Sequence, residues 1–155
     1  MRKPRSESIQ PVLTLAEQAE LRAARQMADC QRYYQQALAK RDELLGYHRD
    51  YRQRGIEATC GAFHPAQLRD QRAFLQRLQD IIRLQETIVE QQAQRLAKAR
   101  QQWLRSQQQA GALNRLQTQY HDQERRERQR REQFASDELN GLRHAWRQQQ
   151  DDSPT

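Results

Sequence analysis

Apolar residues recur along the first third of the chain at the seven-residue repeat of a coiled coil. One heptad position holds mostly small or aromatic side chains, namely Ala16, Ala23, Cys30, Ala37, Leu44 and Tyr51. We place the second core position three residues further on, where the side chains are Ala19, Gln26, Tyr33, Lys40 and Tyr47. The pattern predicts a coiled-coil helix with a thin core over residues 12–53, preceded by a flexible N-terminus of residues 1–11.

A second and stronger heptad pattern begins after Pro65. Its first core position is filled mainly by large hydrophobic residues, namely Leu68, Leu75, Ile82, Val89, Leu96, Trp103 and Ala110. The other core position is more mixed and holds Leu78, Gln85, Gln92, Ala99, Ser106, Leu113 and Tyr120. This pattern predicts a second coiled-coil helix over residues 66–133.

Residues 54–65 separate the two patterns and include Gly55, Gly61 and Pro65. Glycine and proline mark turns, and the residue before a proline is biased away from helix, so we predict a connecting loop. Two heptad helices joined by a short loop pack most simply as an antiparallel hairpin. Because the second helix is the longer one, it is expected to overhang the first beyond about residue 110.

The last segment, residues 134–155, has a short apolar repeat of its own at Ala135, Leu139, Leu142 and Trp146. This spacing predicts a short amphipathic helical piece, and the polar residues after it predict a frayed end. The predicted fold class is therefore all-α, an antiparallel two-helix coiled-coil hairpin with an overhanging C-terminal helical tail.

The composition agrees with this fold class. Only 35% of the 155 residues are hydrophobic and the mean hydropathy is -1.23, which excludes a thick globular core. Five glycines and four prolines leave long stretches free of helix breakers. The abundance of Gln, Arg, Ala, Leu and Glu is typical of long helices.

The formal net charge is +7, and the excess is unevenly distributed. The stretch from Gln91 to His121 contains no Asp or Glu, although it carries Arg95, Lys98, Arg100, Arg105 and Arg115. Two interpretations stay open at this point. The basic residues either form an ordinary solvated face or bind an acidic partner.

The sequence lacks the pattern of a catalytic, metal or cofactor site. There is no glycine-rich phosphate loop, and the histidines are scattered along the chain at His48, His64, His121 and His144. Cys30 and Cys60 have neither metal-ligand spacing nor a disulfide framework, so Cys30 is interpreted as a small core residue and Cys60 as an exposed loop thiol. No signal peptide or membrane-spanning run is visible. We predict a cytoplasmic protein that is not an enzyme and needs no cofactor.

Tyr47 and Tyr51 stand one helical turn apart just before the predicted loop. Tyrosine has a rigid apolar ring with a polar edge, which suits both a heptad core and a partly exposed binding surface. Gly46, inside the same helix, predicts either a close approach by another group or a bend, because glycine costs about 1 kcal/mol there relative to alanine. The hairpin places Phe74, Leu78 and Ile81 opposite this region, so an aromatic and aliphatic patch is expected near the loop.

These residues resemble the FliJ family of flagellar export proteins. The resemblance is carried by "LLGYHRDYRQ" before the loop, "QLRDQRAFLQRLQDII" after it and "KARQQWLRSQQQAGALNRL" downstream, and it covers roughly Leu13 to Phe134. The Tyr-x-x-x-Tyr, the Phe-x-x-x-Leu and the Lys-x-x-x-x-Trp in these segments go beyond what heptad periodicity alone requires.

The resemblance implies a stalk-like hairpin that sits in the hexameric flagellar export ATPase, promotes assembly of its ring, contacts the cytoplasmic part of the export-gate membrane protein and escorts export chaperones. The gate-facing surface it implies consists of Leu44, Tyr47, Tyr51, Phe74, Leu78 and Ile81. We hypothesise that the ring is contacted by the overhanging tail together with the basic residues Arg95, Lys98, Arg100, Arg105 and Arg115. The chain is expected to be a monomer that reaches the inner membrane only through these partners, at the flagellar base.

Three alternatives stay open from the sequence. The arginine excess also fits a basic coiled coil that binds nucleic acid, although its aromatic residues Trp103 and Tyr120 lie on the core stripe and not among the basic side chains. A generic structural coiled coil, such as a parallel dimer, needs no binding patch. The stalk of a virulence-type secretion system is closely similar to the flagellar one.

Overall fold

The computed structural model describes residues 2–59 and 64–153. These residues form two helices, α1 over Arg5–Thr59 and α2 over Pro65–Asp151, and contain no strand. The predicted all-α helical hairpin is confirmed. The chain divides into a hairpin unit, Gln18–Gln107, and a terminal unit, Met1–Glu17 with Gln108–Thr155, and each is described by itself. Cys60 and Gly61 of the predicted loop lie outside the described residues.

The heptad pattern of α2 correctly predicts which of its residues form the core of the hairpin unit. Leu78, Ile82, Leu96 and Ala99 are buried, and the remaining predicted core residues of this unit are half-buried. Leu44 of α1 joins Leu78 and Ile82 in a buried cluster. The core sits between the two helices and is thin, since it contains few fully covered side chains.

The second core position predicted for α1 is wrong at four of its five residues, although Ala19 is half-buried as expected. Gln26, Tyr33, Lys40 and Tyr47 are exposed. The positions one residue later are instead half-buried or buried, namely Glu20, Met27, Tyr34, Arg41, His48 and Gly55. The core of α1 therefore combines these with Ala23, Ala37 and Leu44, and the row that contains Tyr47 becomes a flank of the hairpin.

Helix α1 continues through the first part of the predicted 54–65 connection, because Gly55 acts there as a packing residue and not as a turn. A Cβ atom at Gly55 would collide with the side-chain amide of Gln71, so a larger residue here would require that flexible side chain to move from its present position. The Gln71 amide donates a hydrogen bond to the Tyr51 carbonyl, with Nε2 3.4 Å from the oxygen. This contact joins the ends of α1 and α2 nearest to the connection.

The longer α1 also displaces the pairing of the two helices from the predicted one. A loop centred within 54–65 would set Ala37 opposite residue 82. In the structure the Gln85 amide Nε2 donates to the Ala37 carbonyl at 3.0 Å. The shift of about one helical turn follows from moving the connection toward the C-terminus.

In the terminal unit, α1 begins earlier than the predicted residue 12 because the carboxylate of Glu124 on α2 caps its first turn. Glu124 accepts hydrogen bonds from the Ser6 hydroxyl at 2.6 Å and from the Ser6 backbone N–H at 3.1 Å. The Pro4 carbonyl accepts from the backbone N–H groups of Glu7 and Ser8, both at 3.1 Å. These contacts satisfy donors that a helix start otherwise leaves without partners.

Contacts within the terminal unit also correct the predicted start of the overhang. Gln117 donates to the side chain of Gln10 and to the Ser6 carbonyl, the latter at 3.5 Å. Helix α2 is thus paired as far as Glu124, well past the expected limit near residue 110. From Arg125 onward every described residue is exposed, and the helix continues to Asp151 without a break at residue 134.

The Glu124 cap predicts a pH-dependent start of α1. The hydrogen bonds from the Ser6 hydroxyl and backbone lower the pKa of the Glu124 carboxyl below its ordinary value of 4.5. A group with a lowered pKa stabilises the folded state fully above its ordinary pKa, and that contribution is lost as pH falls through the lowered value. We expect ¹H–¹⁵N heteronuclear NOEs of residues 5–11 to decrease on acidification through this range.

The matched variants for this experiment are Glu124→Gln and Glu127→Gln. Glu124→Gln should give low NOEs in residues 5–11 already at neutral pH, because the neutral amide is a weaker acceptor. Glu127→Gln should behave like the wild type. Identical acid profiles for all three proteins would contradict the cap.

Candidate functional site

The six residues of the predicted patch near the connection fall into two groups. Leu44 and Leu78 are buried in the core cluster, with 9% and 7% of their surface accessible. The other four are 40–50% accessible, namely Tyr47, Tyr51, Phe74 and Ile81. The two leucines therefore support the surface from below, and the exposed four are the side chains that a partner can touch.

Tyr51 of α1 and Phe74 of α2 are in contact at the surface of the hairpin unit. Their ring centroids are 4.5 Å apart and their planes are inclined by 39°. The guanidinium of Arg54 lies over the Tyr51 ring, 5.8 Å from its centroid. The three side chains line an open groove of about 680 Å³, together with Gln67, Asp70, Gln71, Ala73 and Arg77. Arg54 was not among the predicted site residues, and its spacing of three from Tyr51 is the signal that would have found it.

The corrected register places the exposed residues of the patch on one flank of the hairpin unit. In an antiparallel pair, the row of α1 that contains Tyr47 and the row of α2 that contains Phe74 and Ile81 lie on the same side of the core. Tyr33 occupies the same row as Tyr47 and is 52% accessible, but it lies about 21 Å further from the connection at 1.5 Å per residue.

Tyr47 is held on this flank by a carboxylate. Its hydroxyl donates to Oε1 of Glu43 at 2.9 Å, and this hydrogen bond raises the pKa of Tyr47 above its ordinary value. Nζ of Lys40 lies 3.5 Å from the other oxygen of Glu43. The tyrosine therefore presents a neutral ring with an oriented hydroxyl at the surface.

Gly46 is not required by packing within the described chain. A Cβ atom at this position would meet only Nη2 of Arg49, at 3.8 Å, which is ordinary van der Waals contact. Helix α1 runs through Gly46 without interruption. The close approach expected from the sequence is therefore not made by any described residue.

The predicted basic residues do not form one stripe. Arg95, Lys98 and Arg105 lie on neighbouring exposed rows of α2 in the hairpin unit, on the side of the tyrosine flank. Arg100 lies on the opposite flank, where its Nη2 donates to the Gln31 side chain at 3.3 Å. Arg115 belongs to the terminal unit and donates to the Gly111 carbonyl of its own helix at 3.3 Å.

Three of these cations have no acidic partner in the hairpin unit. Arg95, Lys98 and Arg105 form no ion pair with any described residue. By contrast, Arg32 pairs with Asp29 at 2.8 Å on α1. The local charge on this part of α2 is therefore uncompensated and available to an acidic surface.

A model of the protein family described as "Flagellar FliJ protein" matches residues 5–150. The chain belongs to the FliJ family. No curated protein and no solved structure matches it.

FliJ-family membership confirms the resemblance found in the sequence and extends it at both ends. The match takes in the N-terminal turn capped by Glu124 and nearly all of the exposed tail, beyond the range from Leu13 to Phe134. The protein is accordingly a component of the flagellar protein export apparatus. Within the described residues, neither helix has a segment long and apolar enough to cross a membrane.

Proposed function

We propose that this FliJ-family protein is the non-enzymatic stalk component of the flagellar type III export apparatus. In this proposal it promotes assembly of the hexameric export ATPase ring, couples that ring to the export gate and escorts export chaperones. It does so in the cytoplasm as a hairpin formed within a single chain, held at the inner membrane through its partners. The observation that supports this proposal is the exposed flank formed by Tyr47, Tyr51, Phe74 and Ile81. Leu44 and Leu78 are buried beneath it.

The flank has the properties of an interface centre. Aromatic side chains supply much of the binding energy of protein interfaces, because they bury a large apolar area with little loss of rotamer freedom. The contact between Tyr51 and Phe74 fixes both rings in advance of binding. Gly46 adds an open place on α1, next to Tyr47 in the chain, that no described residue fills and that the gate protein can approach closely.

The ring contact is assigned to the basic residues. Arg95, Lys98 and Arg105 are uncompensated, so a ring lumen lined by carboxylates would attract them and orient the stalk. Arg100 of the hairpin unit and Arg115 of the terminal unit are proposed as separate contacts to the ring, each an exposed cation with one polar neighbour in its own unit.

The nucleic-acid alternative is not favoured. Single-stranded nucleic acid is bound by basic grooves with exposed aromatic rings on which bases stack. Trp103 and Tyr120 are half-buried at core positions, and Tyr47, Tyr51 and Phe74 lie near the connection, away from the basic residues. Tyr33 is the one exposed ring of the described flank that lies nearer to these cations, and one ring does not form a stacking platform for successive bases. We therefore propose protein partners and no nucleic acid.

The double variant Tyr47→Ala/Tyr51→Ala tests the proposed gate surface. Each exposed ring at an interface centre contributes about tenfold or more to affinity, so we expect the double variant to lose about 100-fold or more in binding. The measurement is a pull-down or calorimetric titration with the cytoplasmic part of the gate protein, alongside circular dichroism to verify helicity.

Tyr33→Ala is the matched control for this test, because Tyr33 is an equally exposed tyrosine of the same row outside the patch. It should bind the gate protein like the wild type. If the helical double variant keeps wild-type affinity, the gate assignment is wrong. Binding of the export ATPase by the same double variant should be unchanged, since the ring is assigned to other residues.

A further inference from the structure

The C-terminal end of α2 carries an apolar stripe that no described residue covers. Every residue from Arg125 to Ser153 is exposed. Leu139, Leu142 and Trp146 have 59–68% of their surface accessible. With Ala135 they follow intervals of four, three and four residues, which places all of them on one helix face. We call Ala135, Leu139, Leu142 and Trp146 the tail stripe.

The tail stripe is not a continuation of the face that α2 uses for packing inside the terminal unit. Extending the heptad register of Leu113 and Tyr120 reaches Glu127, Phe134 and Gly141, all of them exposed, and Phe134 is a single large apolar residue among them. The stripe is offset by one residue from that register, so it points about 100° away around the helix. An exposed apolar face that has its own register, and that no described residue of the terminal unit covers, is typical of a surface that binds another molecule.

We propose that two copies of this chain associate through their tail stripes as an antiparallel, two-fold symmetric coiled coil. In this arrangement Ala135 of one copy faces Trp146 of the other, and Leu139 faces Leu142. Each large side chain is matched by a smaller or equal one, which keeps the helices at a uniform distance. Both contacts occur twice, because a two-fold interface uses the same surface on each copy.

Charges beside the stripe favour the same alignment. It sets Arg131 of each copy beside Asp152 of the other, at both ends of the interface. Asp152 directly follows the last residue of α2 and is held against the helix end, because its N–H donates to the Gln148 carbonyl at 3.0 Å. Arg131 also pairs with Glu127 of its own helix at 3.1 Å, but that exposed pair leaves further guanidinium donors free.

The charges disfavour a parallel pair. Parallel alignment would set Arg128 against Arg128 and Glu132 against Glu132 at core positions of the two copies. The antiparallel alignment sets Ser153 and Gln149 opposite these residues. A second copy of the chain therefore matches both the apolar tail stripe and the charges beside it.

The test is sedimentation equilibrium of the full chain from about 5 to about 500 µM, since an interface this small corresponds to a dissociation constant on the order of 10–100 µM. We expect a monomer–dimer equilibrium that Leu139→Glu weakens at least about tenfold. Leu84→Glu is the matched control, because Leu84 is an equally exposed leucine of α2 outside the stripe. It should leave the equilibrium unchanged, and circular dichroism should show full helicity in both variants.

A charge exchange tests the alignment itself. Asp152→Arg alone should weaken the dimer, because it faces Arg131 of the other copy, and adding Arg131→Asp should restore it. A chain that stays monomeric up to the highest concentration, or a dimer that tolerates Leu139→Glu, would overturn the proposal. A double exchange that fails to restore association would overturn the antiparallel pairing.

Discussion

Leu78→Asp is expected to destabilise the hairpin unit by about 3–5 kcal/mol, which is a large part of the stability of a domain this thin. Leu78 is only 7% accessible and forms the central cluster with Leu44 and Ile82. The substitution removes apolar burial from this cluster and leaves a carboxylate there without a partner. Thermal unfolding followed by circular dichroism at 222 nm should show a lower transition temperature and reduced helicity.

Leu84→Asp provides the control for this prediction. It makes the same chemical change in the same helix, at a leucine that is 63% accessible. Substitutions at such positions normally change stability by no more than about 0.5 kcal/mol. Equal transition temperatures for the two variants would mean that the Leu44, Leu78 and Ile82 cluster does not hold the helices together.

The two helices differ in how far their packing could be predicted. In α2 the core positions carry Leu, Ile, Val and Trp, so only one register buries the large side chains and the prediction is correct. In α1 two candidate rows compete beside Ala23, Ala37 and Leu44. The row that is exposed offers Tyr33 and Tyr47, and the row that is buried includes polar residues, so hydrophobicity alone favours the wrong row.

His48 shows that burying this row of α1 has an energetic cost. It occupies a core position of α1, and its Nε2 is buried without a hydrogen-bond partner in the described structure. A single helix has no pattern that reveals such a position. Contact with α2 determines which row of α1 is buried. The heptad pattern of α1 taken alone contains no information on that contact.

The limits of α1 could not be predicted for a similar reason. The Glu124 carboxylate that caps α1 is distant in sequence, and Gly55 accommodates the side chain of Gln71 from the other helix. Both are tertiary contacts, and a local pattern assigns such residues to a flexible end or a turn. Tyr51 and Phe74 are nevertheless in contact, as a hairpin predicts, because they flank the connection whichever row of α1 is buried.

Replacing Arg95, Lys98 and Arg105 together by Glu is expected to weaken assembly of the export ATPase ring by roughly tenfold to a hundredfold. Each of these cations is exposed and lacks an acidic partner in the hairpin unit, so under the proposed ring contact its reversal turns an attraction to carboxylates of the ring into a repulsion. The variant lowers the formal net charge of the chain from +7 to +1. The measurement is ATPase activity and ring formation as a function of stalk concentration.

Salt dependence and a matched variant separate a specific contact from a general effect of net charge. Wild-type stimulation should fall as ionic strength rises, because the Debye length shortens to about 8 Å near 0.15 M salt. The reversed variant should show little of this dependence. Arg22→Glu/Arg25→Glu/Arg49→Glu makes the same change in net charge at exposed positions of α1 that form no ion pair with a described residue, and it should leave ring assembly close to wild type. If this α1 variant weakens assembly as much as the first variant, the ring is responding to total charge and the assignment of Arg95, Lys98 and Arg105 is wrong.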